Sequence, residues 1–404
     1  MPEATARWKA AQAASDQLWQ VVRPTALEER PVPERHRLIF YFGHLEAFDW
    51  NLLAPALDLK PFRPAWDKLF AFGIDPVDGQ LPSEPASAWP EGDEVRAYNH
   101  EIRQRLAAAL AQRGVAAGEL AQRLNVAMEH RWMHAETLCY LLHNLGYEHK
   151  RRGPAPPNGG RKQPPAEPVA VPAGEVTLGQ PDRSVFGWDN EFAAQRVRVE
   201  GFAADRHKVT NREYLAFVEA GAAPPHFWRR TGNGWRYRGM FAEVPLPLDH
   251  PVYVTQAEAS AYAGWRGRRL PTEAEWHRLA FGTPEGRERS YPWGETAPAR
   301  MDGNFDFRSW DPAPVDHHPE TASAWGAEDL MGNGWEWTAT PFAPFPGFTP
   351  FPFYPGYSAD FFDGRHFVLK GGSARTAACL LRRSFRNWFQ PHYPYLYAGF
   401  RCVS

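Results

Sequence analysis

Residues 151–168 read RRGPAPPNGGRKQPPAEP, and no part of this run can enter a packed core. Proline, glycine and basic residues crowd out the apolar ones, so the run offers neither a face to bury nor a regular backbone pattern. It divides the 404 residues into two parts, the number that the length alone suggests. Residues 1–150 are rich in Ala, Leu, Arg and Glu, which favour or tolerate helix. Residues 169–404 are a succession of short apolar-alternating segments, Trp/Gly/Pro-rich loops and two short helical stretches. The predicted fold class is therefore α+β. A four-helix bundle is expected at 1–150, a linker at 151–168 and a mixed, irregular domain at 169–404.

The charge balance narrows the partners. Lys+Arg number 45 against 47 Asp+Glu, a net charge of -2. That argues against nucleic acid, since such binding rests on cationic side chains neutralising phosphates. No apolar run approaches the roughly 18 residues of a membrane span. The N-terminal MPEATARWKAAQAASDQLW has no apolar stretch behind a basic start. A cytoplasmic protein with no membrane partner is expected. Cys139, Cys379 and Cys402 are too few and too scattered for a disulfide framework. The 17 Trp and 39 Pro suit an aromatic-rich domain with long irregular loops.

In the first part, Trp8, Ala11, Ala14, Leu18, Trp19 and Val22 recur at helical spacing and predict a helix over about 5–24. A second is expected over about 34–56, a third over 92–113 and a fourth from near Ala117 to His149. A Pro/Gly/Asp-rich loop separates the second from the third. In the second part NREYLAFVEA predicts a helix with Asn211 as its cap. TEAEWHRLAF predicts another, with Thr272 as cap and Glu275 closing a capping box. The loop FAPFPGFTPFPFYPGY, with its seven aromatics, is expected to wall a pocket.

The sharpest chemical signal is His130-Arg-Trp-Met-His134-Ala-Glu136. Histidines at i and i+4 share one helix face, and two neutral imidazoles so placed can chelate one divalent metal. Glu136 lies about 240° around the helix from His130, which suits a residue orienting a ligand rather than a ligand itself. A third ligand must come from another helix, and His44, within the apolar YFGHLEAFDWNLL, is the best candidate. Ordinary helix-surface histidines show the same spacing, so the pattern alone leaves both readings open. In the second part, GNGWEWT and GFRC read as segments that hold an irregular fold together. Arg386-Asn387-Trp388 reads as a ligand-binding stretch, because Trp beside Arg or Asn can cup a planar or cationic molecule.

Taken together, LPTEAEWHRLA, WG, MGNGWEWT, GGS and GFRC resemble the formylglycine-generating-enzyme (sulfatase-modifying factor) fold, a C-type-lectin-like domain, over roughly 169–404. A DinB-like bundle carrying His-x3-His-x-Glu and an upstream His, joined to that domain, resembles the EgtB family of ergothioneine-pathway sulfoxide synthases. The resemblance implies a non-haem Fe(II) held by His44, His130 and His134. It also implies O2-dependent joining of a thiol donor to the imidazole C2 of hercynine, trimethylated histidine. Asn387-Trp388, with Arg386 before them, match the stretch in which the family contacts hercynine. A tyrosine near the iron is implied too, and Tyr354 and Tyr357 are the candidates in the aromatic loop.

Departures from the family bear on the donor. Gln residues common within the His-x3-His element are replaced by Arg131, Trp132 and Met133. The Asp that follows Asn-Trp in thiol-using members, and an Arg a few residues on, are replaced by Phe389, Gln390, Pro391, His392 and Tyr393. A carboxylate desolvated without a partner is costly, so an amino-acid thiol is disfavoured. Asp75 and Asp78 in the rewritten loop, like Gln390, can hydrogen-bond hydroxyls. This pattern resembles the selenoneine synthase branch, which takes a selenosugar and hercynine. The alternative is a cysteine- or γ-glutamylcysteine-using enzyme, for which Arg63, Arg96 or Arg131 would have to clamp the carboxylate. Formylglycine generation needs a cysteine pair, and only Cys379 lies between GGS and GFRC. A non-catalytic lectin-like module would not need the three histidines.

Overall fold

The structure is a computed structural model describing residues 2–71, 85–115, 117–154, 167–181, 183–301 and 303–404. The chain divides into two compact units, Met1–Pro154 and Ala155–Ser404.

The first unit is helical. It contains α1 (Pro2–Trp19), α2 (Leu38–Leu53), α3 (Pro64–Leu69), α4 (Gly92–Arg113) and α5 (Glu119–Asn144). α2 is the centre: it packs on α4 and α5, while α1 packs on α5. All of its residues except Phe48 and Asn51 are buried, so it has no solvent face. Four helix positions match the expectation, with shifted ends. α1 stops at Trp19 because the next residues pair elsewhere: Arg151 N donates to Val21 O and Arg23 N to His149 O. α2 begins at Leu38 rather than near 34, after a turn that follows Pro33. It ends before Pro55, which lacks the N–H to continue it and instead opens a short 3-10 turn. α3 lies inside the segment expected to be a loop; Pro64 sits at its first position, where the missing N–H costs nothing. Asp75, Asp78 and most of the expected linker lie outside the described residues.

The second unit is built from small sheets. β1 (Val169–Val171) pairs antiparallel with β4 (Phe202–Ala204), and β2 (Gly174–Leu178) with β3 (Gln195–Val199). β5 (Trp228–Thr231), β6 (Gly234–Arg238) and β7 (Glu243–Pro245) form a meander. The central sheet has the order β10 (Asn387–Phe389), β9 (Phe367–Lys370), β8 (Trp335–Pro341), β11 (Ala398–Gly399), with β11 parallel to β8. The core gathers Val176, Val199, Trp276, Phe281, Phe305 and Leu330 from the strands, loops and helix around it.

Where two short helices were expected, three full ones appear: α6 (Asn211–Glu219), α7 (Gln256–Trp265) and α8 (Glu273–Phe281); a one-turn α9 (Gly356–Ala359) follows. Each of the three starts with a Thr-x-x-Glu capping box, at Thr210/Glu213, Thr255/Glu258 and Thr272/Glu275. Asn211 is therefore the first helical residue of α6 and not its cap. Its side chain instead donates to Pro247 O at 2.8 Å.

GNGWEWT and GFRC hold the fold together, as expected. Glu336 and Arg401 are both fully buried and joined by two hydrogen bonds of 2.7 and 2.8 Å. Trp276 Nε1 donates to the same carboxylate at 3.0 Å, and Lys208 Nζ lies 3.4 Å away. Gly371 of the GGS segment has φ of 96°, and a Cβ there would meet Leu330 O at 2.4 Å, so glycine is required.

Candidate metal centre and aromatic site

α2 and α5 bring three histidines together. One ligand nitrogen each from His44, His130 and His134 lies within 4.8 Å of the others. All three residues are at most 5% exposed. His44 donates through Nδ1 to the Phe70 carbonyl at 2.6 Å, at the end of α3. That bond fixes the tautomer and leaves Nε2 as the lone-pair atom. His44 Nε2 and the Nδ1 atoms of His130 and His134 are buried without a hydrogen-bond partner. Orphaned buried polar atoms are rare in a folded chain, and three on converging imidazoles fit a divalent cation as their partner. Burial pushes the His44 pKa down to about 4 and holds those of His130 and His134 well below the usual range. The rings are therefore neutral, the form that ligates a metal.

Two of the rings are covered on a face by phenylalanines. Phe48 stacks on His130 with centroids 3.4 Å apart, and Phe40 stacks on His44 at 4.9 Å. Glu136 lies outside the converging group and is half-buried, as is Met133 next to His134. Sequence reasoning missed Phe70, because a backbone carbonyl at a helix end leaves no residue-type signature.

Arg131 is not available to clamp a donor. It is fully buried and bonded to Glu46, Asp49 and the Leu45 carbonyl. Arg63 is exposed and lies 4.4 Å over the Trp66 ring, and Arg96 is exposed beside Asp93.

In the second unit Trp388 is half-buried on β10. It stacks on Phe342 at 4.2 Å, meets Tyr357 edge-on at 5.3 Å and lies 5.6 Å from Phe361. Tyr357 in turn stacks on Trp188 at 3.9 Å, and Tyr354 sits 5.5 Å from Tyr357. The aromatic loop thus converges on Trp388. Asn387 Oδ1 accepts the Trp388 N–H at 2.9 Å, which leaves the amide Nδ2 as a donor. Phe389 stacks on Tyr393 at 5.4 Å. Arg386 departs from its expected ligand role. It is 3% exposed, and its guanidinium is occupied by Glu273 at 2.9 and 3.1 Å and by Ala343 O at 3.0 Å. Glu273, at the start of α8, carried no sequence signal of this pairing.

Among the described residues, no helix is long and apolar enough to cross a membrane. Residues 155–404 match the sulfatase-modifying factor enzyme 1-like domain family. The hercynine oxygenase of Mycolicibacterium thermoresistibile is 38% identical over 312 residues, covering 68% of this chain and 67% of that protein. Ergothioneine biosynthesis protein 1 of Neurospora crassa is 28% identical over 98% of this chain and 57% of its own length. The formylglycine-generating enzyme of Bos taurus is 30% identical over 48% of this chain and 63% of that protein. A domain match across most of the chain, and a relative aligned over two thirds of both sequences, place this chain in the EgtB-like family of enzymes that carry a sulfatase-modifying factor domain.

Proposed function

We propose that this enzyme uses Fe(II) and O2 to join a selenium or sulfur donor to the imidazole C2 of hercynine, with a selenosugar as the favoured donor. The observation that carries the reading is the buried convergence of His44, His130 and His134 with unpartnered nitrogens. The similarity to hercynine oxygenase supports the acceptor substrate. Three neutral imidazoles suit iron, and Fe(II) bound there supplies the redox chemistry with O2 that side chains lack. In the overall change, one C–H and one chalcogen–H bond are lost and a carbon–chalcogen bond forms. Oxygen takes up the two electrons and two protons, and two further electrons where the chalcogen is also oxidised.

The chain's own residues bind and orient. Trp388, with Phe342, Tyr357 and Phe361 around it, offers π faces to the trimethylammonium of hercynine. The Asn387 Nδ2 donates to its carboxylate. Of the two candidate tyrosines, Tyr357 meets Trp388 edge-on and Tyr354 lies against Tyr357, so both belong to the aromatic group that receives hercynine. Met133 presents an apolar surface beside His134, and Glu136 orients that end of α5. Phe389 and Tyr393 stack on each other and offer no charge to pair with an amino-acid donor. With Arg131 committed to Glu46 and Asp49, one cation that could have gripped an amino-acid carboxylate is removed. The remaining neutral hydrogen-bonding groups favour a sugar over cysteine or γ-glutamylcysteine.

Formylglycine generation finds no support at the cysteines. Cys402 is buried with its thiol pushed up to about 12 by that burial, which disfavours the thiolate that grips a metal. The test is a competition. The chain, loaded anaerobically with Fe(II), is mixed with hercynine and a glycosyl selenol, cysteine and γ-glutamylcysteine, then exposed to air and read by mass spectrometry. The selenosugar adduct should dominate. A dominant cysteine-derived hercynyl sulfoxide removes the donor reading, and no adduct from any donor removes the reaction itself.

A further inference from the structure

We propose that Arg131 is the positioning residue of the three-histidine centre, setting the register of α2 against α5 that makes His44 meet His130 and His134. The inference rests on the metal reading and adds a residue that touches neither metal nor substrate.

Arg131 follows His130 directly, and its side chain is fully buried. A guanidinium stays charged at any relevant pH, so its charge must be matched where it lies. All of its matching partners on α2 lie within the five residues that follow His44. Nη2 donates to the Leu45 carbonyl at 3.1 Å and to Asp49 Oδ2 at 2.8 Å, and Nη1 donates to Glu46 Oε1 at 3.0 Å. Arg131 therefore grips α2 within five residues of one ligand, from a position adjacent to another. The anchors are themselves held. Trp8 Nε1 of α1 donates to Asp49 Oδ2 at 2.8 Å, and Arg103 of α4 donates to Glu46 Oε1 at 2.8 and 2.5 Å. Ser15 Oγ lies 3.3 Å from Arg131. Arg131 thus ties α5 to α2 and α1 at the level of the histidines, and Glu46 carries the network on to Arg103 of α4.

An apolar side chain at this position would also fill the space. It would lack directional bonds, and α2 could slide or rotate against α5 with little loss. Buried charges with several fixed partners select one register, and this is their best-attested use. The centre needs that selection, because its ligands sit on two different helices and a misplacement of about 0.5 Å degrades a ligand set.

The test uses full-length apo-protein and Co(II) alone, whose visible absorption reports coordination geometry. Arg131→Gln and the isosteric Asp49→Asn should each bind Co(II) about 10–100-fold more weakly, as for other groups that orient ligands without touching the metal. Their absorption bands should shift. Arg131→Lys, which cannot span both carboxylates, should fall between. Leu106→Ala, a cavity variant in the buried face of α4, serves as a control: it should lower the melting temperature and leave affinity and spectrum unchanged. Wild-type affinity and spectrum in Arg131→Gln overturn the inference. If that variant does not fold, the same result in Asp49→Asn overturns it. A wild-type protein that takes up no Co(II) or Fe(II) would instead remove the metal reading beneath it.

Discussion

His44 is held through two successive contacts. Its Nδ1 is fixed by the Phe70 carbonyl, and the fully buried Phe70 ring lies against Gly43. A Cβ at Gly43 would fall 2.5 Å from that ring, which is walled by Trp66, Trp89 and Tyr98 and cannot retreat. Gly43→Ala should therefore displace the carbonyl that orients His44 and weaken metal binding by about 10–100-fold, measured by titration of the apo-protein. Unchanged affinity would mean that Phe70 yields without moving His44. His44→Ala should abolish stoichiometric metal uptake while the helical circular dichroism persists. Trp388→Ala should raise the KM for hercynine and leave metal content alone; equal use of unmethylated histidine by the wild type would contradict the cation–π role. At this scale the histidines were readable, because i,i+4 spacing and a polar residue in an apolar helix are sequence patterns. The Phe70 carbonyl and the Arg131 network were not, because their partners are far apart in the chain and one of them is backbone.

Helix starts are legible in the sequence where a Thr-x-x-Glu stands before an apolar run, as at α8. α7 carries the same signature at Thr255 and Glu258 yet is not among the helices expected from the sequence. At α6 Asn211 competes with its neighbour Thr210 for the cap, since both residue types cap well. Thr272→Ala removes the hydroxyl that accepts the Glu275 N–H and should cost about 1 kcal/mol, read from the urea midpoint. The pairing of β8 with the GFRC segment is a stronger constraint. Arg401→Met leaves Glu336 facing only Lys208 and Trp276 and should cost about 3–5 kcal/mol. A loss under ~1 kcal/mol would mean that Lys208 alone neutralises Glu336. α3 escapes a sequence reading because six residues are too short for a periodic signal.

Across the whole chain, pH acts through neutral histidines that are buried or half-buried. Burial pushes His226 and His250 down to about 4 and His277 well below its ordinary value. On unfolding they regain ordinary values, so between about pH 6.5 and 5 the unfolded chain binds protons that the folded chain refuses. Asp189, raised by burial to about 6, works in the opposite sense with one proton. These histidines, joined by His44, His130 and His134 in the metal-free protein, make stability fall as pH falls through this window. A urea midpoint unchanged between about pH 7 and 5 would contradict it. Limited proteolysis should cut first within 151–168, where the composition supports no core; a first cut within 117–149 would contradict the division of the chain. The histidine-bearing α2 has a consequence for how such a chain can diverge. A helix enclosed on every side has no face on which substitutions are neutral, so the centre's ligand set cannot be adjusted from α2 by small steps. New donor preferences must then arise from segments outside it, and a saturation scan should find α2 intolerant at every position but Phe48 and the exposed Asn51, while the residues after Trp388 accept change.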